Sequence, residues 1–142
     1  MSNTPDQAQR EQDTQQEQII VDAGLTNPRV TVEQINTLMD TVEYEVLPVP
    51  NSTLTLAVAW LLMGSRKFKL AIGEAACVDP RNFSAEKGAE FAIQDAANKA
   101  RSRLWELEGY VLSVVLQNAE IETAIQLANS VESYDPNNTV NS

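Results

Sequence analysis

Two long runs of strand-forming residues, Thr53 to Met63 and Lys67 to Cys77, are separated only by Gly64-Ser65-Arg66. A three-residue connection that contains glycine is a hairpin turn and far too short for a crossover, so the two runs return antiparallel to one another. In the second run Phe68, Leu70 and Ile72 share one face, and Lys67 and Lys69 point to the other. Upstream, Val42-Glu43-Tyr44-Glu45-Val46-Leu47 alternates with period two and predicts a third, half-buried strand. Pro48 and Pro50 end it, because neither can donate to a ladder.

Helices flank these strands. Thr31 followed by Gln34 has the form of a capping box, and Val30 with Ile35 has the spacing of a hydrophobic staple. They predict a short helix over about Val32 to Asp40, with Ile35, Leu38 and Met39 on its apolar stripe. After the hairpin, Val78 to Phe83 is a turn segment and Ser84 caps a long helix from Ala85 to Glu108. Its stripe runs through Ala89, Ile93, Ala96, Ala100, Leu104 and Leu107, and Gly109 supplies a left-handed C′ position. Tyr110 to Leu116 reads as a buried strand, with a continued helix as the alternative, and Asn118 caps a last helix through Ala128. The expected fold is α+β: a small antiparallel sheet packed against one long helix, with a short N-terminal helix. Residues 1–18 are Gln-rich with almost nothing to bury and read as a disordered tail; 19–130 form one domain, and 131–142 are a second tail.

Composition narrows the function. The chain has 142 residues, no histidine and a formal net charge of −10. Without imidazole there is no Ser-His or Cys-His nucleophile, no His-ligated zinc and no near-neutral His base, so the expectation is a protein that is not an enzyme and needs no metal or cofactor. Cys77 is the lone cysteine, which permits no intrachain disulfide and reads as an inert buried thiol. The longest near-continuous apolar run, Leu54 to Met63, is about half the length that spans a bilayer, and no secretory leader opens the chain. An acidic chain also lacks the excess of cations that duplex DNA binding requires. The charge is unevenly placed, however. Residues 66–103 contain eight basic and five acidic residues, a net +3, while the remainder contains two basic and fifteen acidic ones, a net −13. A positive centre inside an acidic protein suits a small anionic ligand, although solvated side chains paired with nearby carboxylates would look the same.

Arg81-Asn82-Phe83 at a helix start is the sharpest candidate site. Helix N-termini favour anions, Arg forks onto phosphate, Asn reads a base or ribose, and Phe stacks on a ring. The plainer reading makes Phe83 a plug over the core. Arg101 and Arg103 are the further phosphate candidates; two apart on a helix, they diverge by about 200°, so at most one faces a ligand. Trp105 and Tyr110 could also stack on a base, but an aromatic at the apolar edge of a helix belongs more often to the core. Glu106 and Glu108 face apart and make no acid/base pair.

Gly73-Glu74-Ala75-Ala76-Cys77-Val78-Asp79-Pro80-Arg81-Asn82-Phe83 and Leu104-Trp105-Glu106-Leu107-Glu108-Gly109-Tyr110 resemble the two signature blocks of a family of small phage accessory proteins. The resemblance covers about Val30 to Leu112; the Gln-rich leader, Arg101-Ser102-Arg103 and the tail depart from it. The pattern is similar to the Thoeris anti-defence sponge proteins, which bind cyclic ADP-ribose-type signals made by immune TIR enzymes, and in some relatives cyclic oligonucleotides, without cleaving them. The resemblance implies a nucleotide-sequestering phage protein in the host cytoplasm. It also implies a homo-oligomer built from dimers, with a hexamer as the larger form, and this agrees with more apolar sequence than one helix can cover. The competing reading is an acidic phage protein that inhibits a host nucleic-acid-binding protein by presenting carboxylates in place of phosphates.

Overall fold

In the computed structural model, which describes residues 5–24 and 27–132, the hairpin forms as the sequence predicts. Strands β2 (Leu54–Met63) and β3 (Arg66–Ala76) pair antiparallel with Met63 opposite Arg66, and Gly64 takes the positive φ of +62° that the turn needs. β1 (Val42–Pro48) pairs antiparallel with β2, giving the order β1-β2-β3. Three helices complete an α+β fold: α1 (Gln7–Asp22), α2 (Val32–Met39) and α3 (Ala85–Glu132). Thr31 caps α2 as expected, its hydroxyl accepting from the Gln34 N–H at 3.2 Å.

One face of the sheet carries the core. Ile35 and Met39 from α2, Ala57, Ala59 and Leu61 from β2, and Leu70 from β3 meet Ala92, Ala96, Ala97, Ala100 and Leu104 of α3. The alanines let the helix lie directly on the strand. At Gly73 a Cβ atom would stand 2.2 Å from the Ala96 nitrogen and 2.3 Å from the Ala92 oxygen, so only glycine fits there.

Three expectations are corrected. Phe68, Leu70 and Ile72 do not all share one face. A β-bulge lies between Ala59 and Trp60, where Ala59 pairs with Ala71 but Trp60 pairs with Lys69, leaving Leu70 as the extra residue. The slip turns Ile72, 43% exposed, to the outer face; Phe68, opposite the buried Leu61, keeps the face of Leu70 but lies near the hairpin end of the sheet and is 38% exposed, while Leu70 is 2% exposed.

The long helix does not stop at Gly109. It runs on through Glu132, absorbing the predicted Tyr110 to Leu116 strand and the helix start at Asn118. An interior glycine costs only about 1 kcal/mol, which the strong helix formers on both sides outweigh, and β-branched residues oppose helix only weakly.

The Gln-rich leader is likewise not a tail over residues 7–18, where it forms most of α1. That helix buries none of its own residues and is held instead by charge. Asp6 and Asp13 bind Arg101 at 3.0 and 2.7 Å, and Glu17 binds Arg29 at 2.6 Å. The expected tail beyond 132, and residues 1–4, lie outside the described residues.

Candidate functional site

The chain leaves β3 through a short 3₁₀ turn, Pro80–Asn82, before α3 begins. Asp79 caps this turn, its carboxylate accepting from the Arg81 backbone N–H at 2.9 Å and from the Arg81 Nη2 at 2.6 Å. The Arg81 hydrogen bonds hold the Asp79 carboxyl below its ordinary range, and the same pairing raises Arg81. The Thr53 hydroxyl donates to the Cys77 carbonyl and the Cys77 thiol donates to the Asp79 carbonyl, which ties the turn to the start of β2. Ser84 then caps α3 as predicted, accepting from the Lys87 N–H at 3.3 Å.

Between this turn and the first turns of α3 lies a cleft of about 140 Å³. Asn82, Phe83, Lys87, Gly88 and Phe91 form its helix side, with Thr53, Ala75 and Cys77 from the sheet. Gly88 brings helix and sheet close, since a Cβ there would approach the buried Thr55 hydroxyl to 2.8 Å. Phe83 and Phe91 keep 38% and 60% of their surface open to solvent, so neither is a sealed core plug. The site thus offers aromatic faces, an amide and an ammonium beside a helix N-terminus. That combination suits a flat ring carrying negative charge.

The structure brings together Asn82 and Phe83 of the sequence-predicted residues. Arg81 is adjacent in sequence, largely exposed and, among the described residues, bonded to Asp79. Arg101 is elsewhere, 13 residues along α3 from Gly88, or about 20 Å at 1.5 Å per residue. It is 2% exposed, and its guanidinium donates to Asp13, Asp6 and the Asn36 side-chain oxygen at 2.7, 3.0 and 2.7 Å. Trp105 is half-buried beside it and donates to Asp13 at 3.1 Å. Arg103 is exposed and forms no ion pair among the described residues. Sequence reading missed Lys87 and Phe91. The signal was the four-residue spacing of Lys87 and Phe91, which puts both on one side of the first turns of α3, just after Phe83.

Residues 30–116 match the Phage protein (N4 Gp49/phage Sf6 gene 66) family. The chain belongs to this family. The segment shared with the N4 Gp49/phage Sf6 gene 66 proteins contains α2, the whole sheet and the cleft, and it ends part-way along α3, so that α1 and the end of α3 lie outside it. A search of curated proteins finds no match. No helix among the described residues is long and apolar enough to cross a membrane.

Proposed function

We propose that this phage protein binds a cyclic ADP-ribose-type signal, or a cyclic oligonucleotide, in the host cytoplasm and sequesters it without cleaving it. The observation that carries the reading is the cleft at the start of α3, where Phe83 and Phe91 flank a base-sized space beside Asn82 and Lys87. A base stacks on the rings, Asn82 hydrogen-bonds its edge, and phosphate charge lies toward Lys87 and Arg81, which can exchange Asp79 for the ligand. A cavity of about 140 Å³ is smaller than the roughly 300 Å³ or more that encloses a ligand of this size, so a neighbouring subunit closes the rest. Leu47, Leu62, Met63 and Ile72 on the sheet are all more than a third exposed and offer apolar surface for such a homo-oligomer. Sequestration needs no proton transfer or metal, in keeping with a chain that has no histidine.

Calorimetric titration with cyclic ADP-ribose isomers and cyclic dinucleotides tests this. The expected result is tight binding of one of them and its recovery intact. Phe83→Ala should weaken binding by about tenfold or more through lost stacking. Lys87→Ala should weaken it most at low salt. A parent protein that binds none of these compounds, or that returns a cleaved product, overturns the reading.

A further inference from the structure

α1 is fastened to the rest of the chain by charge and buries none of its own residues. Asp6, its N-cap, and Asp13 and Glu17 within it are spaced by seven and four residues, which brings all three to within about 40° of one another on one side of the helix. That acidic side takes Arg101 at Asp6 and Asp13, and Arg29 at Glu17. Beneath it the packing is open. A cavity of about 280 Å³ lies between Asp13, Glu17 and Ile20 of α1 and Val30, Val32 and Trp105 opposite them. A helix packed as part of the core would leave no such space.

Arg101 is 2% exposed, yet among the described residues both carboxylates that pair with it come from the α1 segment. Outside that segment its partner is the Asn36 side-chain oxygen. The Trp105 indole N–H likewise donates to Asp13. Asn36, Arg101 and Trp105 all belong to the family segment 30–116, and the acids that satisfy them lie outside it. With α1 lifted away, the domain presents a guanidinium fork, an amide and an indole beside an apolar hollow.

We propose that this face is a second anion-binding site, for a phosphate-bearing ligand, and that α1 is its built-in competitor, whose carboxylates stand where the ligand's phosphate oxygens bind. An arginine fork takes carboxylate and phosphate oxygens in the same geometry. Asp13 on Nε at 2.7 Å and Asp6 on Nη1 at 3.0 Å therefore mark two oxygen positions that one phosphate or diphosphate group fills. The Asn36 oxygen holds the third guanidinium nitrogen, Nη2, at 2.7 Å and so keeps the fork aimed when α1 leaves. A ligand that binds only the open face draws the chain toward it, and its apparent affinity is lowered by the fraction of chains in which α1 is docked. The site is separate from the cleft at the start of α3 and does not rest on what that cleft binds.

Hydrogen exchange in the full chain, with inorganic pyrophosphate as the probe, tests this. Pyrophosphate should speed exchange of the α1 amides about tenfold or more beyond sodium chloride at the same ionic strength, while the sheet amides stay as slow as before. Equal acceleration by the two salts is plain screening and overturns the site. Calorimetry supplies the second arm. Asp6→Asn with Asp13→Asn removes the competitor and should tighten pyrophosphate binding about tenfold or more over the parent, and adding Arg101→Gln should abolish the gain. An affinity that does not rise in the double variant, or a gain that survives Arg101→Gln, overturns the proposal. The exchange arm uses the unaltered chain and decides the matter whatever the variants do to folding. Both arms report on α1 and Arg101, so neither outcome turns on whether the cleft at Phe83 takes a nucleotide.

Discussion

Between Ala85 and Leu104, α3 buries Ala92, Ala96, Ala97 and Ala100 completely against the sheet; between Gly109 and Glu132 the same helix buries no side chain in its own chain. The first half is built of small residues because a helix that lies on a strand has no room for larger ones. The second half carries Val111, Val115, Ile121, Ile125 and Val131, all at least half exposed. Residue size along one continuous helix therefore records how near the neighbouring surface is, and which surface lies within this chain.

The contact of the first half should break most severely at Gly73. Gly73→Ala pushes a methyl group into two backbone atoms of α3, neither of which can move without lifting the helix from the sheet. We expect a loss of about 4 kcal/mol in urea unfolding. A change within 0.5 kcal/mol, roughly that of an ordinary surface substitution, would mean that helix and strand are not in contact there.

Next in size is Arg101, where the two halves join. Arg101→Ala leaves Asp6 and Asp13 without their buried cation and should cost about 3 kcal/mol. Residues 7–22 should become sensitive to protease before the rest of the domain, and Trp105, which shares Asp13, should change its fluorescence. A variant that keeps α1 protected would show that the helix is held by something other than charge.

Tyr44 reports the same docking through pH. Burial, and after it the negative charge of Asp6, push the Tyr44 hydroxyl from 10 up to about 12, with Arg10 opposing. Because the folded value lies above the unfolded one, the contribution to stability is whole below pH 10 and is lost as pH rises toward 12. Absorbance titration should show one of the three tyrosines ionising late, with about 1–2 kcal/mol of stability disappearing over that window. In Arg101→Ala, undocking of α1 would carry Asp6 and part of the burial away from Tyr44, and the late phase should then move down.

These two regions also differ in how well they can be read from sequence. The hairpin turn, the cap at Thr31 and the cap at Ser84 are local signals a few residues long, and all three form as predicted. The bulge is not legible, because the extra Leu70 leaves an alternating pattern that looks regular on its own strand. α1 is not legible either, since what holds it is Arg101, 88 residues from Asp13 and 95 from Asp6. At the cleft, Asn82 and Phe83 were readable because a helix start fixes where they lie. Arg101 was not, because a cation on a helix carries no mark of which carboxylates will reach it.

Gly109 is the counterpart of Gly73 and should give the smallest effect, with the opposite sign. In sequence it looks like a C′ glycine, but it lies inside α3 with no atom within 4 Å of where a Cβ would stand. Gly109→Ala removes the entropy that an interior glycine forfeits on folding and should stabilise the chain by about 0.5–1 kcal/mol. Circular dichroism at 222 nm should show slightly more helix and a higher thermal midpoint. A lower midpoint would mean that the helix breaks at Gly109 in solution, so that the two halves of α3 are separate elements.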